Sequence, residues 1–176
     1  RMYGIKFIEI KEKKINKIIK LNIKNKNQIG SDRIANAVGV YKKYKTNCIV
    51  LDFGTATTFD VLIKNTYMGG IIAPGIKLSL NTLSDRATLI PKIELKRMKK
   101  VIGSNTLSAV RSGFFWGYAG LIDNMINLIK KETRQTFKVV LTGGFSDLFT
   151  GSIKSNAKHN QDITIKGLIK ISKLIK

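Results

Sequence analysis

The chain has 176 residues, 43% of them hydrophobic and only two of them proline, a composition that allows a proper core and excludes a disordered chain. One cysteine, Cys48, excludes a disulfide framework and fits a reducing cytoplasm, and no apolar run approaches the ~18 residues that span a bilayer, so no membrane partner is expected. The net charge of +21 raises nucleic acid as a partner, but 26 of the 32 basic residues are lysine in a chain rich in Ile and Asn, which reads as compositional habit and argues against specific nucleic-acid binding.

The first residues, Arg1-Met2-Tyr3-Gly4, carry no signal peptide, and a start on Arg1 predicts a piece of a longer chain. "GIKFIEIKEKK" reads as a short strand, and "INKIIKLNIKNKN" as irregular basic chain with a short strand. Residues 29–44 read as a helix with Ile34, Ala37, Val38 and Tyr41 on one face, capped by Ser31 or Asp32 and ending in lysines that suit its dipole. Three strands follow, at 48–53, 57–64 and 67–73, with "KNTY" turning between the last two. "PGIKLSLNTLSDRA" reads as a helix opened by Pro74. The longest helix runs from Asn105 to about Glu132; Gly113, Gly117 and Gly120 in it are spaced for close packing, on a dimer face or inside the core. "FKVVLTGG" is a buried strand, "FSDLFTG" a short helix, 151–162 a polar loop holding the lone His159, and "ITIKGLIKISKLIK" a closing amphipathic helix. Strands in succession, then helices alternating with strands, make an α/β chain.

Four short stretches carry the candidate chemistry. In "IVLDFGTATTFDVLI" an acid, Asp52, ends a buried strand, and a long turn of glycine and hydroxyls replaces the usual two-residue hairpin. Backbone amides in such a turn can line up on an anion, with Gly54, Thr55, Thr57 and Thr58 as the phosphate cradle. A carboxylate beside phosphate needs a cation between them, so Asp52 reads as a cation ligand. The plain alternative is a solvated turn whose threonines serve strand propensity. The protein-kinase "DFG" is excluded, because no catalytic loop or Gly-rich loop accompanies it. In "GSDR", 30–33, Asp32 beside Arg33 is either a helix cap with a salt bridge, or a base aimed at a hydroxyl with Arg33 on an acidic substrate. Asn105 and Thr106 form an N-cap or point a hydroxyl into a site. Gly143 and Gly144 end a strand where a nucleotide can lie flat on the backbone.

Together, "GSDRIANAVGVYKKY", "IVLDFGTATTFDV", "YMGGIIAPGI", "VIGSNTLSAVRSGFFWGYAGLID" and "VVLTGGFSDLF" resemble the type III pantothenate kinases, relatives of the Bvg accessory factor in the acetate and sugar kinase/Hsc70/actin superfamily. The resemblance covers most of 29–150. It implies an RNase H-like (actin-like ATPase) fold, here mostly the C-terminal lobe at 46–176, with a remnant of the N-terminal lobe at 1–45. It implies ATP-dependent phosphorylation of pantothenate to 4′-phosphopantothenate, the first step of coenzyme A biosynthesis, in a cytoplasmic homodimer. Asp32 matches the catalytic base, and Gly30, Ser31, Asp32 and Arg33 the pantothenate loop. Asp52 matches the ligand of a monovalent cation, K+ or NH4+; Thr55 matches an ATP contact in the second phosphate loop, with Gly54, Thr57, Gly143 and Gly144 as its nucleotide-side neighbours and Mg2+ accompanying ATP. Thr106 matches a pantothenate contact that closes the neighbouring subunit's site. The chain departs from the family at Ile23 and Lys26, where a tyrosine and a proline are usual, and in lacking the Asp-x-Gly-Asn-Thr first phosphate loop. It therefore reads as an inactive truncation on its own; the rival reading is a regulatory or nucleic-acid-binding relative acting through its basic surface.

Overall fold

The computed structural model describes residue 10 and residues 13–175. The strand expected within 4–14 falls largely outside them. A 3-10 turn at Lys13–Lys17 leads into β1 (Lys20–Leu21), and a second, at Lys26–Gln28, into helix α1 (Ser31–Tyr44). Then come β2 (Cys48–Phe53), β3 (Ala56–Ile63), β4 (Thr66–Pro74), α2 (Ile76–Arg86), α3 (Thr106–Thr133), β5 (Lys138–Gly143), α4 (Ser146–Phe149), β6 (Ala157–His159) and α5 (Ile163–Ile175). The six strands make one sheet in the order β1-β4-β3-β2-β5-β6. β2, β3 and β4 pair antiparallel, and β5 and β6 extend the sheet in parallel from β2. Residues 20–21 pair in parallel with β4, so the described part of 1–45 is joined to the same sheet.

Alternation along the strands sorts side chains onto two faces. Ile49, Leu51, Phe53, Phe59 and Leu141 face α2, α3 and α4, where Phe53, Phe149 and Phe115 stack at centroid distances of 5.3 and 5.6 Å. Cys48, Val50, Leu62, Tyr67 and Val140 face α1 and α5. Each Phe so buried contributes roughly 1.5–3 kcal/mol, and the stack fixes the end of β2 just after Asp52.

Several local expectations shift. Helix α1 is buried all round from Ile34 to Val40, not along one stripe, because α5 covers the side turned away from the sheet. Its N-cap is Gly30, with no side-chain cap from Ser31 or Asp32. Pro74 ends β4, and Gly75 is the N-cap of α2. His159 lies in the short edge strand β6, not in a loop. On α3, Phe115, Ala119, Ile122 and Ile126 face the core, while Gly113, Gly117 and Gly120 are exposed and a Cβ added at any of them would meet nothing within 4 Å. The helix is amphipathic, and the core placement of its glycines is excluded.

Candidate active site

Parallel strands β2 and β5 end side by side, with Asp52 opposite Thr142 and Phe53 opposite Gly143. The carboxyl ends of such strands are where open α/β sheets hold ligands. Backbone and carboxylate crowd together here: a Cβ on Gly143 would lie 2.6 Å from both Asp52 Oδ1 and the Phe53 nitrogen, and its φ of +85° favours glycine. Gly144 N–H donates to the Phe53 carbonyl at 3.1 Å. Gly54 and Thr55 form the exposed turn from β2 to β3, where Gly54 N–H donates to the Ala56 carbonyl at 3.1 Å. Gly75, at the start of α2, packs so tightly on the Thr55 carbonyl that a side chain there would collide with it. The turn is thus braced from below by the N-terminus of a second helix.

The N-terminus of α1 reaches the same edge. Asp32 is exposed, and its carboxylate lies over Gly30, where any side chain would collide with it. One turn on, the fully buried Asn36 donates from Nδ2 to Asp52 Oδ2 at 2.9 Å and accepts from the Thr164 hydroxyl at 2.6 Å. Burial raises the pKa of Asp52, the Asn36 hydrogen bond lowers it, and the charge of Asp32 raises it again. Two carboxylates sharing an edge and felt by one another are relieved by a cation. Among the described residues no group of three or more His, Cys, Asp or Glu could hold a metal ion. Asp52 is thus the carboxylate that stands at the strand end, held there by Asn36.

Arg33 turns the other way, into the sheet. Its Nε donates to Asp60 Oδ1 at 2.7 Å, and the Tyr67 hydroxyl donates to the same oxygen at 2.7 Å. Burial pushes Asp60 up to about 6 against the opposing pull of Arg33 and Tyr67. At the start of β3, Thr58 pairs with Asp52 and shares its face, whereas Thr57 points to the α2/α3 side, fully buried and with no hydrogen-bond partner for its hydroxyl among the described residues. Thr106 opens α3 as an exposed residue behind the Asn105–Ser108 capping box. None of the hydrogen bonds among the described residues ties Thr106 to the Asp32 edge. At the opposite end of the sheet, Lys43 and Lys138 stack over Tyr44 at 5.2 and 4.6 Å, so part of the basic charge is engaged within the fold.

A family model described as type III pantothenate kinase matches residues 1–128. A type III pantothenate kinase of Pelagibacter ubique is 62% identical over 176 residues, which are 100% of this chain and 70% of that protein. The chain belongs to the type III pantothenate kinase family. The corresponding proteins of Koribacter versatilis and Syntrophotalea carbinolica are 43% and 41% identical over 82% of the chain, which spans only 53% and 57% of their lengths. Among solved structures, a conserved Baf family protein from Campylobacter jejuni superposes with a TM-score of 0.66 at 21% identity, over 90% of this chain and 70% of that one. The Alp12 filament protein superposes with a TM-score of 0.53 at 17% identity, over 79% and 51%. The fold is that of the actin-like ATPases, and the family is one of phosphotransferases.

Within this kinase family frame, the structure brings Asp32, Asp52, Gly54, Thr55, Gly143 and Gly144 to one edge, and leaves Thr106 on a separate helix. It also adds residues that sequence reading did not single out: Asn36, Asp60, Tyr67 and Thr164. Asn36 carried a signal, since it stands four residues after Asp32 and so near it on the same side of the helix. Asp60, a charge inside the apolar run "TFDVLI", was the other.

Proposed function

We propose that the complete protein is a cytoplasmic pantothenate kinase, which transfers the γ-phosphoryl group of ATP to the primary hydroxyl of pantothenate and opens coenzyme A biosynthesis. The observation that carries this reading is the Asp32 carboxylate, exposed at the N-terminus of α1, the helix whose Asn36 one turn on donates to Asp52 at the strand end. Asp32 accepts the hydroxyl proton as the oxygen attacks the γ-phosphorus; the bond from that phosphorus to the bridging oxygen breaks, and ADP leaves. Little covalent work falls to the protein, and the rate comes from alignment and charge neutralisation. Gly30, Ser31 and Arg33 shape the pantothenate side. Gly54 and Thr55, with Thr58 on the face of Asp52, serve the phosphates, and Gly143 and Gly144 the nucleotide. Asp52, oriented by Asn36, would hold K+ or NH4+, which would offset phosphate charge, and Mg2+ would accompany ATP.

In this reading 46–176, three antiparallel and two parallel strands with their helices, is the C-terminal lobe, and 1–45 is the part of the other lobe that docks on it. The protein works as a homodimer through the outer face of α3. Supporting this are the uncovered Gly113, Gly117 and Gly120 and an apolar groove of about 480 Å³ between α2 and α3, lined by Leu83, Val110, Phe114 and Leu121. Thr106, at one end of that helix, then completes the neighbouring subunit's pantothenate site. The test is a potassium titration of pantothenate phosphorylation by the full reading frame. Turnover should require a monovalent cation, and Asp52→Asn should raise the K+ needed by on the order of 100-fold. Equal turnover with and without monovalent cations would sink the role given to Asp52.

A further inference from the structure

The first turn of α1 has an unusual tether. Its N-cap is a glycine with no side-chain hydrogen bond, so the ordinary device for holding a helix start is missing. In its place Arg33 runs from that turn to Asp60, twenty-seven residues on and in the middle of β3. Asp60 is fully buried, and its Oδ1 takes both the Arg33 Nε–H and the Tyr67 hydroxyl. The guanidinium carbon sits 5.9 Å from the centroid of the Tyr67 ring, close enough for a cation–π contact. A glycine makes the room: Gly70 pairs with Asp60, and a Cβ there would lie 2.6 Å from Arg33 Nη2. Next to it the β3/β4 register shifts past Met68, with Gly69 at φ +113°.

A buried ion pair of this kind adds little net stability, because desolvation offsets most of the attraction. Asp60 also leaves Oδ2 buried with no partner among the described residues, a further cost that an apolar pair would avoid. What the pair does provide is direction. It fixes the rotamer of Arg33 and, through the backbone, the residue before it.

We propose that Asp60 and Tyr67 are positioning residues for phosphoryl transfer: they anchor Arg33 to the sheet and so set where Asp32 meets the substrate hydroxyl. The inference rests on the pantothenate kinase reading for its activity readout only. Arg33 is then engaged through Nε by the protein itself, and only its outer N–H groups remain for substrate. Asp60→Asn keeps the volume and removes the charge; Tyr67→Phe removes one hydrogen bond and is the milder variant should the first not fold.

The experiment is steady-state kinetics on the product of the full reading frame, with a double-mutant cycle through Arg33→Ala. Displacing the base by an ångström costs on the order of 100-fold, so Asp60→Asn should lose about that much kcat/KM for pantothenate while its KM for ATP stays within about twofold. Tyr67→Phe should lose roughly 5- to 10-fold. In the Arg33→Ala background, Asp60→Asn should cost less than about twofold, because its route to Asp32 is already cut. Full additivity with Arg33→Ala, or an equal rise in the KM for ATP, would overturn the anchor. Should the unsubstituted protein show no turnover, the kinase reading falls and amide hydrogen exchange decides the anchor separately. Faster exchange at 31–34 in Asp60→Asn or Tyr67→Phe than in the unsubstituted chain upholds it, and unchanged exchange overturns it.

Discussion

Helices α1 and α5 cross with backbone against backbone, and Gly167→Ala probes that crossing directly. A Cβ at Gly167 would collide with the Ala35 carbonyl oxygen and stand 2.6 Å from its carbon. The reciprocal contact puts a Cβ at Gly39 2.5 Å from the Ile163 carbonyl oxygen. Neither obstacle can rotate away, since both belong to the main chain, so the helices must separate by more than an ångström. Ala in place of Gly in a helix interior gains ~1 kcal/mol by propensity, while overpacking costs ~1–3 kcal/mol. Separation also loosens the cover over Ile163 and Ile171, which are 1% and 2% exposed. With the loosened cover added to the ~0–2 kcal/mol these terms leave, the net expectation is a loss of about 1–2 kcal/mol, read as a lower urea midpoint by circular dichroism and a melting temperature down by about 2–8 °C. Because α1 carries Asp32, Arg33 and Asn36, the same substitution should lower turnover even where the chain stays folded. A Gly167→Ala chain as stable as the parent, or more so, would refute the close crossing and with it the reason α1 is held so firmly.

Two further outcomes follow from the site. Because burial lifts Asp60 from 3.8 to about 6, the folded chain holds that proton more tightly than the unfolded one. Its contribution to stability is fullest below about pH 3.8 and is lost as pH rises through about 6, a change of about 3 kcal/mol. Urea titrations at pH 4 and pH 7 should show that slope in the parent and lose it in Asp60→Asn; identical slopes would show that Asp60 is not held in this way. Asn36→Leu removes the hydrogen bond that favours the charged form of Asp52 and frees the Thr164 hydroxyl. It should raise the K+ needed for half-activation about 10-fold or more with the KM for pantothenate nearly unchanged, and an unshifted K+ requirement would dismiss Asn36 as the orienting group.

Much of this was legible in the chain, for physical reasons. Strand alternation and turn residues located β2 to β5 to within a residue or two, because each strand's two faces meet different partners. Asp52 stood out because an acid closing an apolar strand needs a reason. What stayed hidden depended on contacts far apart in sequence. The burial of α1 on all sides comes from α5, more than a hundred residues later, and no local pattern announces it. The motif offered Arg33 a local partner in Asp32 or an acidic substrate, but not Asp60, since the sheet that brings β3 under the helix start is invisible from it. The glycines of α3 fitted either a core or a surface, and only the position of Phe115 and Ile122 toward the sheet resolved which side they take.

The proposed function makes Asp32 the base that takes the proton from pantothenate's hydroxyl. The direct measurement is ATP-dependent formation of 4′-phosphopantothenate by the full reading frame, with Asp32→Asn compared at saturating ATP and K+. Removing a positioned base should lower kcat by about 100- to 10,000-fold, while ATP affinity and the urea midpoint hold. An Asp32→Asn protein that turns over pantothenate at the parent rate would contradict the account.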